Sequence, residues 1–179
     1  MKYDNVTISG QICTGKSTLR KLLSKKLGWQ TFSTGELFRR HSKELNLSLE
    51  AADEQNDQLT KKIDRQLTVL VKTKTHFVVD SWMAGITAKN IPRVLKILLV
   101  CNDNIRHQRF ALREKISVKE ARVKVEERFS HWSTKIKKIY HRTDFFNRKY
   151  FDLVIDTSDI IPQGVLKKVL DKLGYKNSH

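Results

Sequence analysis

Residues 10–18 read GQICTGKST, which fits the phosphate-binding P-loop pattern G-x-x-x-x-G-K-[ST] without a gap. A short β-branched run, Val6-Thr7-Ile8, precedes this loop, and leucines at helical spacing follow it until Gly28. Because strand, loop and helix come in the order that a P-loop needs, the pattern predicts an α/β chain that handles a nucleoside triphosphate. The competing interpretation is a glycine-containing surface turn that matches by chance.

The residue types in this loop are those that phosphate binding requires. Glycines at positions 10 and 15 permit backbone conformations in which successive N–H groups face an anion. Lys16 is placed to neutralise β- and γ-phosphate oxygens of ATP, and the Ser17 hydroxyl to ligate Mg²⁺. We expect Lys16 to face solvent when no nucleotide is bound. The predicted nucleotide-binding residues are Gly10, Gln11, Ile12, Cys13, Thr14, Gly15, Lys16, Ser17 and Thr18.

Composition narrows the classes of protein that fit this chain. With 179 residues, 39% of them apolar and 30% charged, we expect one globular domain spanning residues 1–179. The sequence has neither an 18-residue apolar stretch nor a signal-peptide pattern, so we predict a cytoplasmic monomer with no membrane partner. Two cysteines, Cys13 and Cys101, are expected to be free thiols, and the histidines have no metal-binding spacing.

The charge of the chain leaves two interpretations open. Thirty-five Lys and Arg residues against nineteen Asp and Glu give a net charge of +16. Binding of nucleotide phosphates needs only a few of these cations, so the excess lies on the surface. It is either a solvated basic surface or the footprint of a nucleic-acid partner.

Alternating β-rich runs and helical patterns predict an α/β fold with a five-stranded parallel sheet. The predicted strands are residues 4–9, 29–33, 76–80, 95–101 and 151–156. A polar helical stretch at about 35–73 is too long for a simple crossover, which makes it a candidate substrate-binding insertion. Asp80 ends the third strand at the edge where ligands bind, and it is placed either to orient the Mg²⁺ hydration shell or to cap the next helix.

A long amphipathic helix is predicted to begin at Ser117, where Ser117 and Glu120 form a capping box. Apolar residues recur along it at three- and four-residue steps, from Val118 to Ile139. The spacing also aligns a basic stripe, which either closes over phosphates or forms a solvated face, and we expect the helix to break midway at a lid. The basic stripe comprises Lys124, Arg128, His131, Lys135, Lys138 and Arg142.

Together with the P-loop, three further motifs make the chain resemble the cytidylate kinase-like family of P-loop nucleoside monophosphate kinases. They are STGELFR at 33–39, REKISVKEA at 113–121 and YFDLVIDTS at 150–158, in the order and approximate spacing of the family. The resemblance implies a three-layer P-loop kinase fold. It also implies a helical monophosphate-binding insertion at 35–73 and a helical lid at about 113–142.

The resemblance further implies phosphoryl transfer from ATP, with Mg²⁺, to a nucleoside monophosphate such as CMP or dCMP. Arg39 falls on the family's arginine that holds the monophosphate, and Gly35 belongs to the same substrate-binding motif. Arg113, Arg128 and Lys135 fall in the lid, where the family's cations contact the transferred phosphoryl group. The resemblance implies that these three residues are catalytic together with Lys16.

This chain departs from the family pattern at several positions. Trp82 stands where the family usually carries an arginine, so its indole either stacks on the acceptor base or packs in the core. Ile12 and Cys13 replace the usual proline and glycine, and Lys135 replaces an arginine. Two alternatives to a cytidylate kinase therefore stay open, a kinase of another small metabolite and a nucleic-acid-binding protein on a kinase fold.

Overall fold

The computed structural model describes residues 1–44 and 57–176 of the chain. Its five strands form one sheet in the order β2-β3-β1-β4-β5, with every neighbouring pair parallel. This confirms the predicted α/β class and the five-stranded parallel sheet, and each strand overlaps its predicted range. The strands are β1 (Asn5–Ser9), β2 (Gln30–Ser33), β3 (Phe77–Asp80), β4 (Val94–Val100) and β5 (Leu153–Asp156).

Helices connect consecutive strands, as parallel pairing requires. The helices of the described residues are α1 (Lys16–Leu27), α2 (Thr34–Glu44), α3 (Asp57–Thr73), α4 (Ala84–Thr87), α5 (Asp103–Glu114), α6 (Val118–Tyr140) and α7 (Pro162–Leu173). A single 3₁₀ turn, Arg148–Tyr150, precedes β5. Residues 45–56 of the predicted insertion at 35–73 lie outside the described residues.

Two apolar clusters cover the two faces of the sheet and produce three layers. On one face, α1 and α7 pack against β1 and β4 through residues such as Leu23 and Val169, both fully buried. On the other face, α3 and α4 pack through Leu67 and Ala84 against Val79 of β3. Both faces of the central strands are therefore buried, which is why β4 reads as an apolar run interrupted only by Lys96.

The long helix α6 differs from its prediction in one respect. Its capping box forms as expected, because Ser117 Oγ accepts the Glu120 N–H and the Glu120 carboxylate accepts the Ser117 N–H. The expected break is wrong, because the helix runs unbroken over 23 residues to Tyr140. Its apolar stripe packs over most of the length, with Ala121 and Val125 in one cluster and Ile136 in another, whereas Val118 at the start of the helix is half exposed.

The carboxyl ends of all five strands meet at one edge of the sheet, because the strands are parallel. The P-loop follows β1 at this edge, α2 follows β2, and Asp80 ends β3. None of the helices in the described ranges has both the length and the apolar character that a bilayer crossing demands.

Candidate active site

The P-loop follows β1 with a backbone that glycine alone accommodates at two positions. Gly10 has φ +145°, and a Cβ there would lie 2.4 Å from the Leu99 carbonyl oxygen. Gly15 has φ +92° and caps α1 at its N-terminus, which directs the positive end of the helix toward the loop. Cys13 also has a positive φ, 59°, so this loop holds a side chain in the left-handed region.

Lys16 is turned back onto its own loop. Its ammonium donates a hydrogen bond to the Gln11 carbonyl oxygen at 2.6 Å. The expectation that Lys16 faces solvent is wrong, because the side chain is only partly exposed and its ammonium is hydrogen-bonded within the loop. The pKa of Lys16 is lowered to about 8, mainly by burial and to a smaller extent by the positive charges of Arg128 and Arg106, while Asp80 opposes the shift.

Ser17 and Asp80 meet at the mouth of the loop. Ser17 Oγ donates to Asp80 Oδ2 at 3.1 Å, and the other oxygen, Oδ1, is buried and accepts no hydrogen bond from the described residues. Arg20 forms an ion pair with this carboxylate, with 3.4 Å between Arg20 Nε and Asp80 Oδ1. A hydroxyl and a carboxylate are hard oxygen ligands that fit Mg²⁺. The alternative that Asp80 caps α4 fails, because Met83 occupies the N-cap.

Arg20 was not predicted as a site residue. Its buried guanidinium also donates to Thr31 Oγ1 at 2.9 Å and forms an ion pair with Glu36 in the first turn of α2. It therefore joins the end of β3, strand β2 and the start of α2. In the sequence Arg20 was one of thirty-five cations, and nothing in its spacing marked it as buried.

A second unpredicted arginine, Arg109, organises the end of the cavity beyond the P-loop. Its guanidinium donates to the Thr157 carbonyl oxygen at 2.7 Å and to Thr157 Oγ1 at 3.3 Å. Thr157 Oγ1 in turn donates to the Thr14 carbonyl oxygen at 3.1 Å, which ties the loop after β5 to the P-loop. Arg109 lines this part of the cavity together with Ile160, Pro162 and Val165. The 150–158 motif contained Thr157 and could have pointed to this region.

At the opposite end, α2 brings Gly35 and Arg39 to the cavity wall. A Cβ at Gly35 would lie 3.3 Å from Arg39 Nη1, so the glycine lets the guanidinium lie close over the start of the helix. Burial and the nearby charge of Arg128 lower the pKa of Arg39. Two cations that line the same cavity favour an anion between them.

The basic stripe of α6 divides into residues that reach the cavity and residues that do not. Arg128 and Lys135 line the cavity, as does Arg113 from the end of α5. Lys124 and His131 are exposed, and Lys138 forms a 3.0 Å ion pair with Asp57. Arg142 lies beyond the helix and pairs with Asp144, so the predicted stripe reaches the cavity over part of its length only.

Trp82 belongs to an aromatic cluster and also lines the cavity. Its ring lies edge-on to Trp132, with 4.4 Å between ring centroids, and 6.0 Å from the ring of Phe129. The Lys16 ammonium lies 6.0 Å from the Trp82 ring. The indole is partly buried, so it packs on α6 while still presenting a surface to the cavity.

One cavity of about 580 Å³ joins all these parts. Its size is within the range of sites for small-molecule ligands and cofactors. It extends from Arg109 and Pro162, past the P-loop and Asp80, to Arg39 and α3. The arrangement can hold two anionic ligands end to end, with cations concentrated where they meet.

Comparison with known proteins gives a family and a fold. The model of the cytidylate kinase-like family matches residues 5–159. A cytidylate kinase of Sulfolobus acidocaldarius is 32% identical over 178 residues, covering 97% of this chain and 96% of the relative.

Two solved structures show the same fold at low identity. A shikimate kinase from Acinetobacter baumannii has a TM-score of 0.62 and 13% identity, with 99% of this chain and 96% of that one covered. A gluconokinase from Sinorhizobium meliloti has a TM-score of 0.64 and 10% identity, with 99% of both chains covered.

Proposed function

This chain belongs to the cytidylate kinase-like family, as its motifs predicted, and we propose that it transfers a phosphoryl group from ATP to CMP or dCMP. The coarser assignment, a nucleoside monophosphate kinase, follows from the family and from full-length similarity to a cytidylate kinase. The choice of a cytosine nucleotide as acceptor is our proposal.

The observation that carries the proposal is the single cavity that joins a P-loop to the acceptor arginine. Lys16 and Ser17 lie at its middle, Arg39 at one end, and Arg113, Arg128 and Lys135 line the same space. A phosphoryl transfer spreads negative charge over the moving oxygens, so catalysis depends mainly on positioning and on preorganised cations. These five basic residues supply both the positioning of the phosphates and the preorganised positive charge.

We assign the roles as follows. The backbone N–H groups of residues 10–18 bind the β-phosphate, and Lys16 leaves the Gln11 carbonyl to bind β- and γ-phosphate oxygens. Ser17 and Asp80 would hold Mg²⁺, which would neutralise part of the negative charge that develops on the phosphate oxygens. Arg109 and Pro162 flank the space for the donor base.

On the acceptor side, Gly35 and Arg39 bind the monophosphate. An oxygen of that phosphate attacks the γ-phosphorus in line, a new P–O bond forms, and the bond to the β-phosphate oxygen breaks. Arg113, Arg128 and Lys135 stabilise the charge during this exchange. In this scheme residues 35–73 form the acceptor-binding insertion and residues 113–142 the lid.

The test is a panel of acceptors. Purified protein with ATP and Mg²⁺ is offered CMP, dCMP, UMP, AMP and GMP, and ADP release is measured for each. We expect CMP and dCMP to give the highest kcat/KM. A protein that phosphorylates no monophosphate would contradict the proposal, and activity greatest with another base would reassign the acceptor.

A further inference from the structure

A carboxylate at the acceptor end of the cavity has no part in the phosphoryl transfer described above. Asp64 lies on α3 and lines the cavity. Tyr140, the last residue of α6, donates its hydroxyl to Asp64 Oδ2 at 2.7 Å. This hydrogen bond joins α3 and α6 through residues that are 76 positions apart in the chain. It therefore restrains the rotamer of the Asp64 side chain.

The surroundings of Asp64 suit a flat ring rather than a phosphate. Met83, Trp132 and Ile136 line the cavity and belong to the same apolar cluster as Tyr140, the hydrogen-bond partner of Asp64, and Phe38 adds further aromatic lining. Within the described part of the chain, no hydrogen bond reaches the second oxygen, Oδ1. Burial raises the pKa of Asp64, although the Tyr140 hydrogen bond and the charge of Lys135 oppose the effect. A carboxylate desolvated in this way gains from another hydrogen-bond donor.

We propose that Asp64, held in place by Tyr140, recognises the acceptor base by accepting a hydrogen bond from its exocyclic amine, and thereby selects cytosine over uracil. The inference rests on the proposed function, because it names the group that chooses the base in that same site.

The chemistry of the two bases supports this choice. Cytosine presents an N4 amine as a donor where uracil presents the O4 carbonyl as an acceptor. An ionised carboxylate only accepts hydrogen bonds, so it pairs with the amine and repels the carbonyl oxygen. Sites built to pair with a particular polar group reject an analogue that lacks it strongly. We therefore expect the wild-type protein to prefer CMP to UMP by about 10²-fold or more in kcat/KM.

The decisive variant is Asp64→Asn, which keeps the shape of the side chain and an oxygen for the Tyr140 hydrogen bond. Its amide nitrogen donates, so it suits O4 of uracil and opposes the cytosine amine. We expect the ratio of kcat/KM for CMP to that for UMP to fall by about 10²-fold, with the KM for ATP unchanged.

Two further variants separate recognition from packing. Tyr140→Phe keeps the ring and removes the hydroxyl, so the positioning of Asp64 is lost and we expect the CMP/UMP ratio to fall by about tenfold. Asp57→Asn removes a carboxylate from the same helix, outside the cavity, where Asp57 pairs with Lys138. We expect this control to leave the ratio unchanged. Melting temperatures of all three variants report whether each is folded.

The outcomes distinguish this inference from the proposed function. An equal loss for CMP and UMP in folded Asp64→Asn would overturn the inference and leave the kinase assignment intact. If the wild type turned over no monophosphate, calorimetric binding of CMP and UMP would decide. Tighter binding of CMP that Asp64→Asn abolishes would support base recognition, whereas equal or absent binding would overturn it.

Discussion

Removal of the Lys16 ammonium is expected to abolish turnover while leaving the fold intact. The charge is expected to act where negative charge develops, and among the described residues the ammonium donates one hydrogen bond, to the Gln11 carbonyl oxygen. Loss of one preorganised electrostatic group costs about 10²-fold or more in kcat. We expect this loss for Lys16→Ala in steady-state kinetics, with a nearly unchanged melting temperature. Lys21→Ala, an exposed lysine on the same helix, is the control. Near wild-type kcat in Lys16→Ala would show that this loop is not the donor site.

The lowered pKa of Lys16 predicts proton uptake on nucleotide binding. With a pKa of about 8, the side chain is partly deprotonated in mildly alkaline solution. Bound phosphates favour the charged form and raise this pKa, so a proton enters the complex. We expect an uptake approaching one half of a proton or more at about pH 8 and above, and little at about pH 6.5.

Calorimetry of a non-hydrolysable ATP analogue in buffers of different ionisation enthalpy measures this uptake. Lys16→Met should remove it, because methionine does not titrate. Equal uptake by the wild type and by Lys16→Met would assign the proton to another group.

Trp82 contacts both Trp132 and the cavity, so its role in binding remains a prediction. If the indole stacks on the acceptor base, Trp82→Ala raises the acceptor KM about 10- to 100-fold and leaves the ATP KM nearly unchanged. If it only packs, the free energy of unfolding falls by about 3–5 kcal/mol and neither KM changes. Both KM values and the melting temperature are measured on the same variant.

Trp29 provides the matched control for this substitution. It is buried in the cluster formed by α1, α7 and the sheet, and its ring lies 5.3 Å from that of His76, away from the cavity. Trp29→Ala should therefore lower stability without changing either KM. A folded Trp82→Ala with an unchanged acceptor KM would contradict stacking.

At the scale of elements, the capping box is expected to support the predicted lid helix, α6. The Ser117 hydroxyl and the Glu120 carboxylate satisfy backbone N–H groups at the helix start. Ser117→Ala removes the hydroxyl at an exposed position, so little else changes. We expect the free energy of unfolding to fall by about 1 kcal/mol in chemical denaturation. Ser133→Ala, in the middle of the same helix, is the control, and an equal effect there would mean that capping is not the cause.

Sequence patterns located the elements well and the contacts between them poorly. The β-branched runs, the P-loop glycines and the Ser117 cap each depend on neighbours within a few residues, so their positions were predictable. The continuity of α6 was not, because an apolar stripe does not reveal whether its partners extend along the whole helix. The Asp64–Tyr140 hydrogen bond depends on how two helices approach across 76 residues of chain, which no local pattern encodes.

At the scale of the whole molecule, the charge of +16 predicts weak and salt-sensitive binding to polyanions. A surface without a shaped interface binds nucleic acid through counterion release alone. We expect micromolar affinity for RNA and DNA in low salt, lost steeply between about 50 and 200 mM salt. Electrophoretic binding across a salt series measures it. Tight binding that resists salt, in a protein without kinase activity, would favour the nucleic-acid-binding alternative.

The buried guanidinium of Arg20, which contacts two carboxylates, limits how this kinase could be redesigned. Its guanidinium contacts the Asp80 carboxylate on one side and Glu36 of α2 on the other, with the side chain only 5% exposed. An acceptor-binding segment grafted from another kinase would have to supply an acidic residue at position 36. Without it, the buried guanidinium of Arg20 would lose one of its two carboxylate partners beside Asp80, the predicted metal ligand. The predicted acceptor and metal sites in this chain are therefore coupled through Arg20, and exchanging one requires matching the other.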